Sequence, residues 1–419
     1  MKKADKDISN GLLQMKKIPK QVKEQLKPLI QKLLTKCSNP KALTKKAEWD
    51  EIVEIFEVLD TIQALEKSYK IPFPDRKNNW ERFYEWCEEN GAEFSSIESR
   101  LGPLISSDAI LQHMPNVQIA MHLLTELLDP KSFWLPYISI LPSSYSTILY
   151  FTLNEIKELQ KSPAIDEVLK FLRSIVRQYC YFFQLFQRDP YAKSLNIGQY
   201  FTYDLYRWAV SSTMTRQNIV HFFDGKQQVT VLVPLFDMCN HTNGKVCMFY
   251  GPRTNAEFLV HNGFVYPENE NDAVEIKLGI SKNDPLCSQK NELCSKLNIS
   301  ANGPFFLHKH NHVNDELMKF LQVNVMTSND MEGVLNGNQK ITDLLLSEEF
   351  SDLRKKAFIF LRDRVNLLLK AYGTTLEEDE DLLKQSSLES IHRHMAVQLR
   401  VCEKRILSAT YEYCIQNLT

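Results

Sequence analysis

Apolar residues in this chain recur almost everywhere at steps of three and four, and that spacing confines it to a mainly helical architecture. Trp49, Ile52, Val53, Phe56, Leu59 and Ile62 make one such stripe, and Val117, Ala120, Leu123, Leu124 and Leu127 another. Val168 to Phe183, Ala357 to Leu368 and Ile391 to Ile415 repeat the pattern. Lys16 to Lys36 alternates lysines with Ile18, Val22, Leu26, Ile30 and Leu33, the signature of a basic amphipathic helix docked on a larger body. Asn79 to Gly91 reads as a short aromatic helix, and Tyr203 to Asn218 as a further one. The clearest strand is Val229-Thr-Val-Leu-Val233, running into Pro234. Only 13 Gly in 419 residues points the same way. The fold class expected is α+β, predominantly helical: a small β core, a large helical insert and an all-helical C-terminal domain.

A chain of 419 residues exceeds what one core usually organises. The divisions expected are an N-terminal helical region over 1–75, a mixed domain over 76–268 with its insert at about 104–218, and a helical domain over 273–419. Asn269 to Asp272 reads as the linker before the last. Phe133 to Tyr137 and Leu141-Pro142 read as a rigid aromatic loop, and Glu377 to Asp381 as a solvated helix start.

Lys and Arg number 50 against 52 Asp and Glu, so no global field draws nucleic acid, and no partner of that kind is expected. Nine Cys include no C-x-x-C pair, which disfavours zinc ribbons and thiol redox chemistry. The charged opening Met1-Lys-Lys-Ala-Asp-Lys-Asp has no apolar segment after it, and no run is long enough to cross a bilayer. The expectation is an intracellular, cytoplasmic protein with reduced thiols and no membrane partner, nuclear entry through the Lys-rich N-terminus being the weaker option. Oligomeric state is not legible.

The segment Pro234-Leu-Phe-Asp-Met-Cys-Asn-His-Thr-Asn-Gly244 crowds polar groups onto a strand exit. By residue type, Asp237 and His241 could orient a base, or join Cys239 in a partial metal site. A capped turn in which Asp237, Asn240 and Thr242 bond backbone amides accounts for the same residues. His308, His310 and His312 alternate but have no Cys or carboxylate at ligand spacing, so a surface loop is the better reading. No Gly-rich phosphate loop and no G-x-S-x-G elbow occurs.

Leu232-Val-Pro-Leu-Phe-Asp-Met-Cys-Asn-His-Thr242 closely resembles the asparagine-histidine motif of SET-domain methyltransferases with a RuBisCO-methyltransferase-like C-terminal domain. Phe249-Tyr-Gly-Pro-Arg-Thr-Asn-Ala-Glu-Phe-Leu-Val-His-Asn-Gly-Phe264 resembles the tyrosine motif of that family. Trp86 to Ala92, Tyr203 to Ser212, Met214 to Asn218 and Ile276 to Lys282 narrow the resemblance to the actin-histidine methyltransferases. It extends over roughly residues 25 to 410.

The resemblance implies S-adenosylmethionine-dependent methylation of one imidazole nitrogen of a histidine in actin, with no metal. Arg76, Arg216, Asp237, Met238, Cys239, Asn240, His241, Asn262, Gly263 and Phe264 would hold the cofactor. Tyr250 would line the methyl-transfer channel, and Asn218 would hold the non-reacting imidazole nitrogen. Phe236 and Arg253 would contact substrate. Two alternatives stand beside this: a catalytically impaired isoform that binds actin or another partner, and a lysine methyltransferase, against which the Asn218 amide argues.

The chain departs from the family at two places. It passes from Glu98 through Ser99-Arg100 directly to Leu101, where the family carries its first SET strands and a G-x-G turn at the cofactor. Between Gly244 and Tyr250 only Lys245 to Phe249 remain, about 17 Å of extended chain and at most one strand. Phe236 also stands where the actin-histidine enzymes usually carry Trp.

Overall fold

The computed structural model describes residues 15–40, 42–73, 76–90, 108–221, 228–238, 251–336, 351–385 and 390–418. The chain forms two compact units that interleave in sequence. The first comprises Met1–Leu153, Val168–Phe249 and Val260–Gly263; the second comprises Asn154–Glu167, Tyr250–Leu259 and Phe264–Thr419.

In the first unit the expected helices form at Lys20–Ser38, Lys45–Glu66, Trp80–Asn90 and Pro115–Leu127, and a longer one runs over Ile165–Arg188. Leu26, Ile30, Leu33 and Cys37 are the buried stripe of the basic helix, which leaves its lysines outward. Trp208, Tyr179, Tyr206, Phe83, Phe182 and Phe201 fill the core with fully buried rings. Glu66 is buried among them, accepting from Tyr179 Oη at 2.6 Å and Tyr203 N at 2.8 Å, and burial pushes its carboxyl up to about 8. Two strands, β1 (Gln217–His221) and β2 (Gln228–Leu232), pair antiparallel with Gln217 opposite Leu232.

Two local expectations for this unit change. The helix from Tyr203 stops at Arg216, and Asn218 lies in β1, because Gln217 turns to extended backbone at φ −65°, ψ 145°. Phe133 to Tyr137 is not simply a loop. Leu135–Ile138 makes one helical turn with Pro136 in its first positions, where a missing N–H costs nothing.

The second unit is built on the helices Cys287–Lys296, Asp315–Val325, Ser328–Asn336, Ser351–Ala371, Leu376–Lys384 and Ile391–Gln416. The α+β class therefore holds, but the C-terminal region is not all helical. It carries an antiparallel ribbon of β3 (Ala273–Gly279) and β4 (Asn302–His308). Val274, Ile276 and Leu278 alternate inward with Glu275 and Lys277, a two-residue period no helix can satisfy. Phe305 and Leu307 answer from β4, and Phe305 packs on Phe320 with ring centroids 4.6 Å apart.

The acidic run does start a helix, capped reciprocally by Thr375 and Glu378. It is not wholly solvated. Asp379 is fully buried and accepts from Arg400 Nε at 3.0 Å and Lys404 Nζ at 2.6 Å. Asn269 to Asp272 is likewise no free linker. Asn269 and Asp272 are buried and hold the preceding turn from within the same unit, as described below. No described helix is long and apolar enough to cross a membrane.

Candidate functional site

The last two turns of the Tyr203–Arg216 helix are the foundation of the site in the first unit. Thr202 caps the helix by accepting from Leu205 N at 3.1 Å, and Trp208 Nε1 donates to Pro142 O at 2.8 Å. That bond fixes the segment that follows Pro142 against the helix. Tyr145 Oη then donates to Ser212 Oγ at 2.8 Å, and the hydroxyls of Thr147 and Ser211 pair at 2.9 Å. Between them Ser146 Oγ donates to Gly263 O at 2.6 Å. Gly263 sits at φ 75°, and a Cβ there would meet Thr147 N at 2.7 Å. Only glycine satisfies both the left-handed backbone and the close approach.

Arg216 ends the helix with its side chain turned to the Phe236–Met238 turn. Its Nη1 donates to Asp237 O at 2.9 Å, lies 3.6 Å from Asp237 Oδ2 and 3.3 Å from Met238 Sδ. Arg76 reaches the same sulfur, Nη2 to Sδ at 3.7 Å, with its guanidinium 5.1 Å above Trp80. Tyr137 Oη donates to Asp237 Oδ2. Two guanidiniums thus meet at one thioether sulfur, and Arg216 also pairs with the Asp237 carboxylate. Burial raises the Asp237 carboxyl above the ordinary value, although Arg216 and the Tyr137 hydroxyl pull the other way. Burial, then the nearby Arg216, lowers Arg76.

Three buried polar atoms in this cluster have no hydrogen-bond partner among the described residues: Arg76 Nε, Arg216 Nε and Asp237 Oδ1. Such groups are costly when orphaned. Two donors with surplus positive charge beside one acceptor suit a ligand that is anionic at one atom pair and cationic at another.

Asn218 donates from Nδ2 to Arg216 O at 3.1 Å, so its amide is tied to the helix end that carries Arg216. Phe236 is half-exposed in the same turn. In the second unit Thr254 and Glu257 form a capping box. Fully buried Asn255 donates through N and Nδ2 to the Asp272 carboxylate at 2.8 and 2.7 Å. Asn269 Nδ2 donates to Arg253 O at 2.8 Å, which fixes the backbone of Arg253. Phe264 stacks on Phe258 at 4.8 Å.

Of the residues expected at a site, Arg76, Arg216, Asp237 and Met238 are brought together, with Asn218 one hydrogen bond away. Asn262 is buried beside Gly263 in sequence. Cys239, Asn240, His241 and Tyr250 lie outside the described residues, as do both places where the chain departs from its family. Sequence reasoning missed Tyr137, Tyr145, Ser146, Ser211 and Ser212. Their only signal was the rigid Pro136 and Pro142 frame, and nothing local ties Tyr137 to a carboxylate 100 residues away. His310 pairs instead with Glu270 at 2.6 Å and His312 packs on Tyr413, and no metal-holding cluster occurs among the described residues.

Comparison with known proteins gives three findings. The family model described as Rubisco LSMT substrate-binding matches residues 281–407. An actin-histidine N-methyltransferase of Xenopus tropicalis is 36% identical over 460 aligned positions, covering 93% of this chain and 79% of the relative. That of Homo sapiens is 36% identical, covering 93% and 77%. As 93% of 419 residues is about 390, about 70 of those 460 positions have no residue in this chain. The solved SET domain of LSMT bound to lysine and AdoHcy matches with a TM-score of 0.63 at 18% identity, covering 82% of this chain and 92% of that one. Rubisco LSMT bound to AdoMet matches with 0.63 at 19%, covering 81% and 92%. These two establish the fold.

Proposed function

The chain belongs to the actin-histidine N-methyltransferase family, and from that premise we propose that it is an S-adenosylmethionine-dependent protein-histidine N-methyltransferase acting on actin. The observation that carries the reading is the 36% identity spread over 93% of the chain. The residues present also fit the cofactor. Its amino-acid end is a carboxylate beside an ammonium, and the unpartnered atoms are two guanidinium Nε donors beside Asp237 Oδ1.

When bound, S-adenosylmethionine supplies a methyl group on a sulfonium, already a good leaving group. Arg76 and Arg216 would hold its carboxylate, and Asp237, itself bonded by Tyr137, keeps Arg216 in place. Asn240 and His241 would hold the adenine, with Met238, Cys239, Asn262, Gly263 and Phe264 as further cofactor-binding residues. Asn218 accepts from or donates to the imidazole nitrogen that does not react, and so keeps the ring neutral and oriented. Tyr250 would line the methyl path, while Phe236 and Arg253 would contact the actin peptide. The protein works in the cytoplasm.

Mass spectrometry of actin incubated with the chain and S-adenosylmethionine tests this. Methyl on a histidine supports it; methyl on lysine refutes it. The alternative is a chain that binds actin without turnover, motivated by the about 70 aligned positions that have no residue here. Calorimetry separates the two, since no cofactor binding with actin binding intact would select the second.

A further inference from the structure

Away from the Arg76–Arg216 cluster, the basic Lys20–Ser38 helix and the Ile165–Arg188 helix enclose a continuous groove in the first unit. It comprises two adjoining hollows of about 480 and 400 Å³ that share Gln187. Lys20, Lys23, Lys27, Arg188 and Lys193 line it, against Glu24 as its one acid. Glu24 is already paired with Lys27 at 2.6 Å. Lys20, Arg188 and Lys193 are exposed and have no ion-pair partner among the described residues. Lys23 is half-buried, donates to Gly198 O at 2.6 Å, and burial lowers its ammonium. The groove is shaped as well as charged. A Cβ on Gly198 would meet Phe186 Cβ at 2.7 Å, so glycine is what lets this wall close on the long helix.

We propose that this groove is a docking site for an acidic, extended segment of a protein partner. Four cations without a neutralising carboxylate, on a chain whose net charge is −2, are a local field rather than a general one. Gln31, Gln184 and Gln187 line the same hollow; Gln184 donates to Gln31 at 3.1 Å and Gln187 to Phe183 O at 3.1 Å, and each amide has a second N–H that suits a peptide backbone. Single-stranded nucleic acid and a membrane surface both call for exposed rings or apolar side chains beside the charge. Phe183 and Phe186, the aromatic residues that line the groove, are 4% and 3% exposed, so they offer neither. The chain's own first 14 residues carry three Lys and two Asp and cannot supply the negative charge.

The test uses the full chain, a fluorescein-labelled oligoglutamate peptide, a labelled single-stranded oligonucleotide and phosphatidylserine vesicles. The variant Lys20→Glu/Arg188→Glu/Lys193→Glu changes exposed side chains that hold nothing in place. A second variant reverses Lys282, Lys296 and Lys319, which belong to the second unit and do not line the groove, and so has the same net charge. The expected result is salt-sensitive peptide binding that falls about tenfold in the groove variant and stays within twofold in the second one. Should the groove variant unfold, Lys193→Gln with Lys20→Gln serves instead. Equal loss in both variants, or no loss in either, overturns the proposal. So does groove-dependent binding of the oligonucleotide or the vesicles without the peptide.

Discussion

Replacing Arg216 by Met should destabilise the first unit by about 3–5 kcal/mol, in a manner that depends on pH. The guanidinium and Asp237 Oδ2 are 3.6 Å apart, with side chains 12% and 0% exposed. At an effective dielectric of about 20, two charges at that distance attract by about 4–5 kcal/mol. The charged bond from Nη1 to Asp237 O is worth about 1.5–3 kcal/mol more, and the desolvation the arginine no longer bears offsets part of the sum. What remains is a buried carboxylate that still accepts from Tyr137 but has lost its paired cation. Its folded pKa, already raised by burial, must rise further without Arg216. An acid whose folded pKa exceeds its unfolded value costs nothing below the unfolded value. The cost grows as pH climbs through the interval and is full above the folded value. The deficit of Arg216→Met should therefore be smallest near pH 4, where the bond to Asp237 O is the main loss, and largest at pH 8. All five tryptophans, Trp49, Trp80, Trp86, Trp134 and Trp208, lie in the first unit, so urea unfolding followed by tryptophan fluorescence reads that unit alone. Adding Asp237→Asn should recover most of the loss at pH 8 without restoring S-adenosylmethionine binding measured by calorimetry. A deficit equal at both pH values, or a double variant as unstable as the single one, would refute the reasoning.

Gly263→Ala should cost the same unit about 2–4 kcal/mol, from an alanine forced to φ 75° and a Cβ 2.7 Å from Thr147 N, and the same fluorescence assay reports it. Glu403 is fully enclosed by Ser162 and Tyr372, and burial raises its carboxyl to about 7. It therefore costs stability progressively as pH rises from its unfolded value near 4.5 to about 7. Glu403→Gln should leave stability unchanged at pH 4 and raise it by up to about 3 kcal/mol at pH 8, read by circular dichroism melting. Asn218→Ala should lower kcat for actin methylation at least tenfold while leaving cofactor affinity within twofold, by stopped assay and calorimetry.

The helices were legible because their signal is local. The Leu26, Ile30 and Leu33 stripe needs only its own spacing to be read. The ribbon of β3 and β4 was as local, yet Ala273 to Gly279 went unread beside a long helical pattern, though its alternation is plain. Asp379 shows the opposite limit. Five acids in a row suggest solvent until Arg400 and Lys404, more than twenty residues on, arrive to neutralise one of them. At the candidate site the motifs indicated Arg76, Arg216, Asp237 and Met238 by likeness, and the structure gathers all four around one sulfur. The hydroxyls that support them could not be named, because side chains 67 and 100 residues apart meet only once the chain has folded.

The interleaving of the two units sets a timetable for synthesis. Glu158 and Ser162 leave the ribosome early but find their partners, Arg400 and Glu403, 242 and 241 residues later. At about 5–20 residues per second that is a wait of about 10 to 50 s. Through that interval Asn154–Glu167 stands without the final helix, and through its later part so does the ribbon of β3 and β4. The chain's last 26-residue helix, Ile391–Gln416, completes a structure whose other edge was made long before.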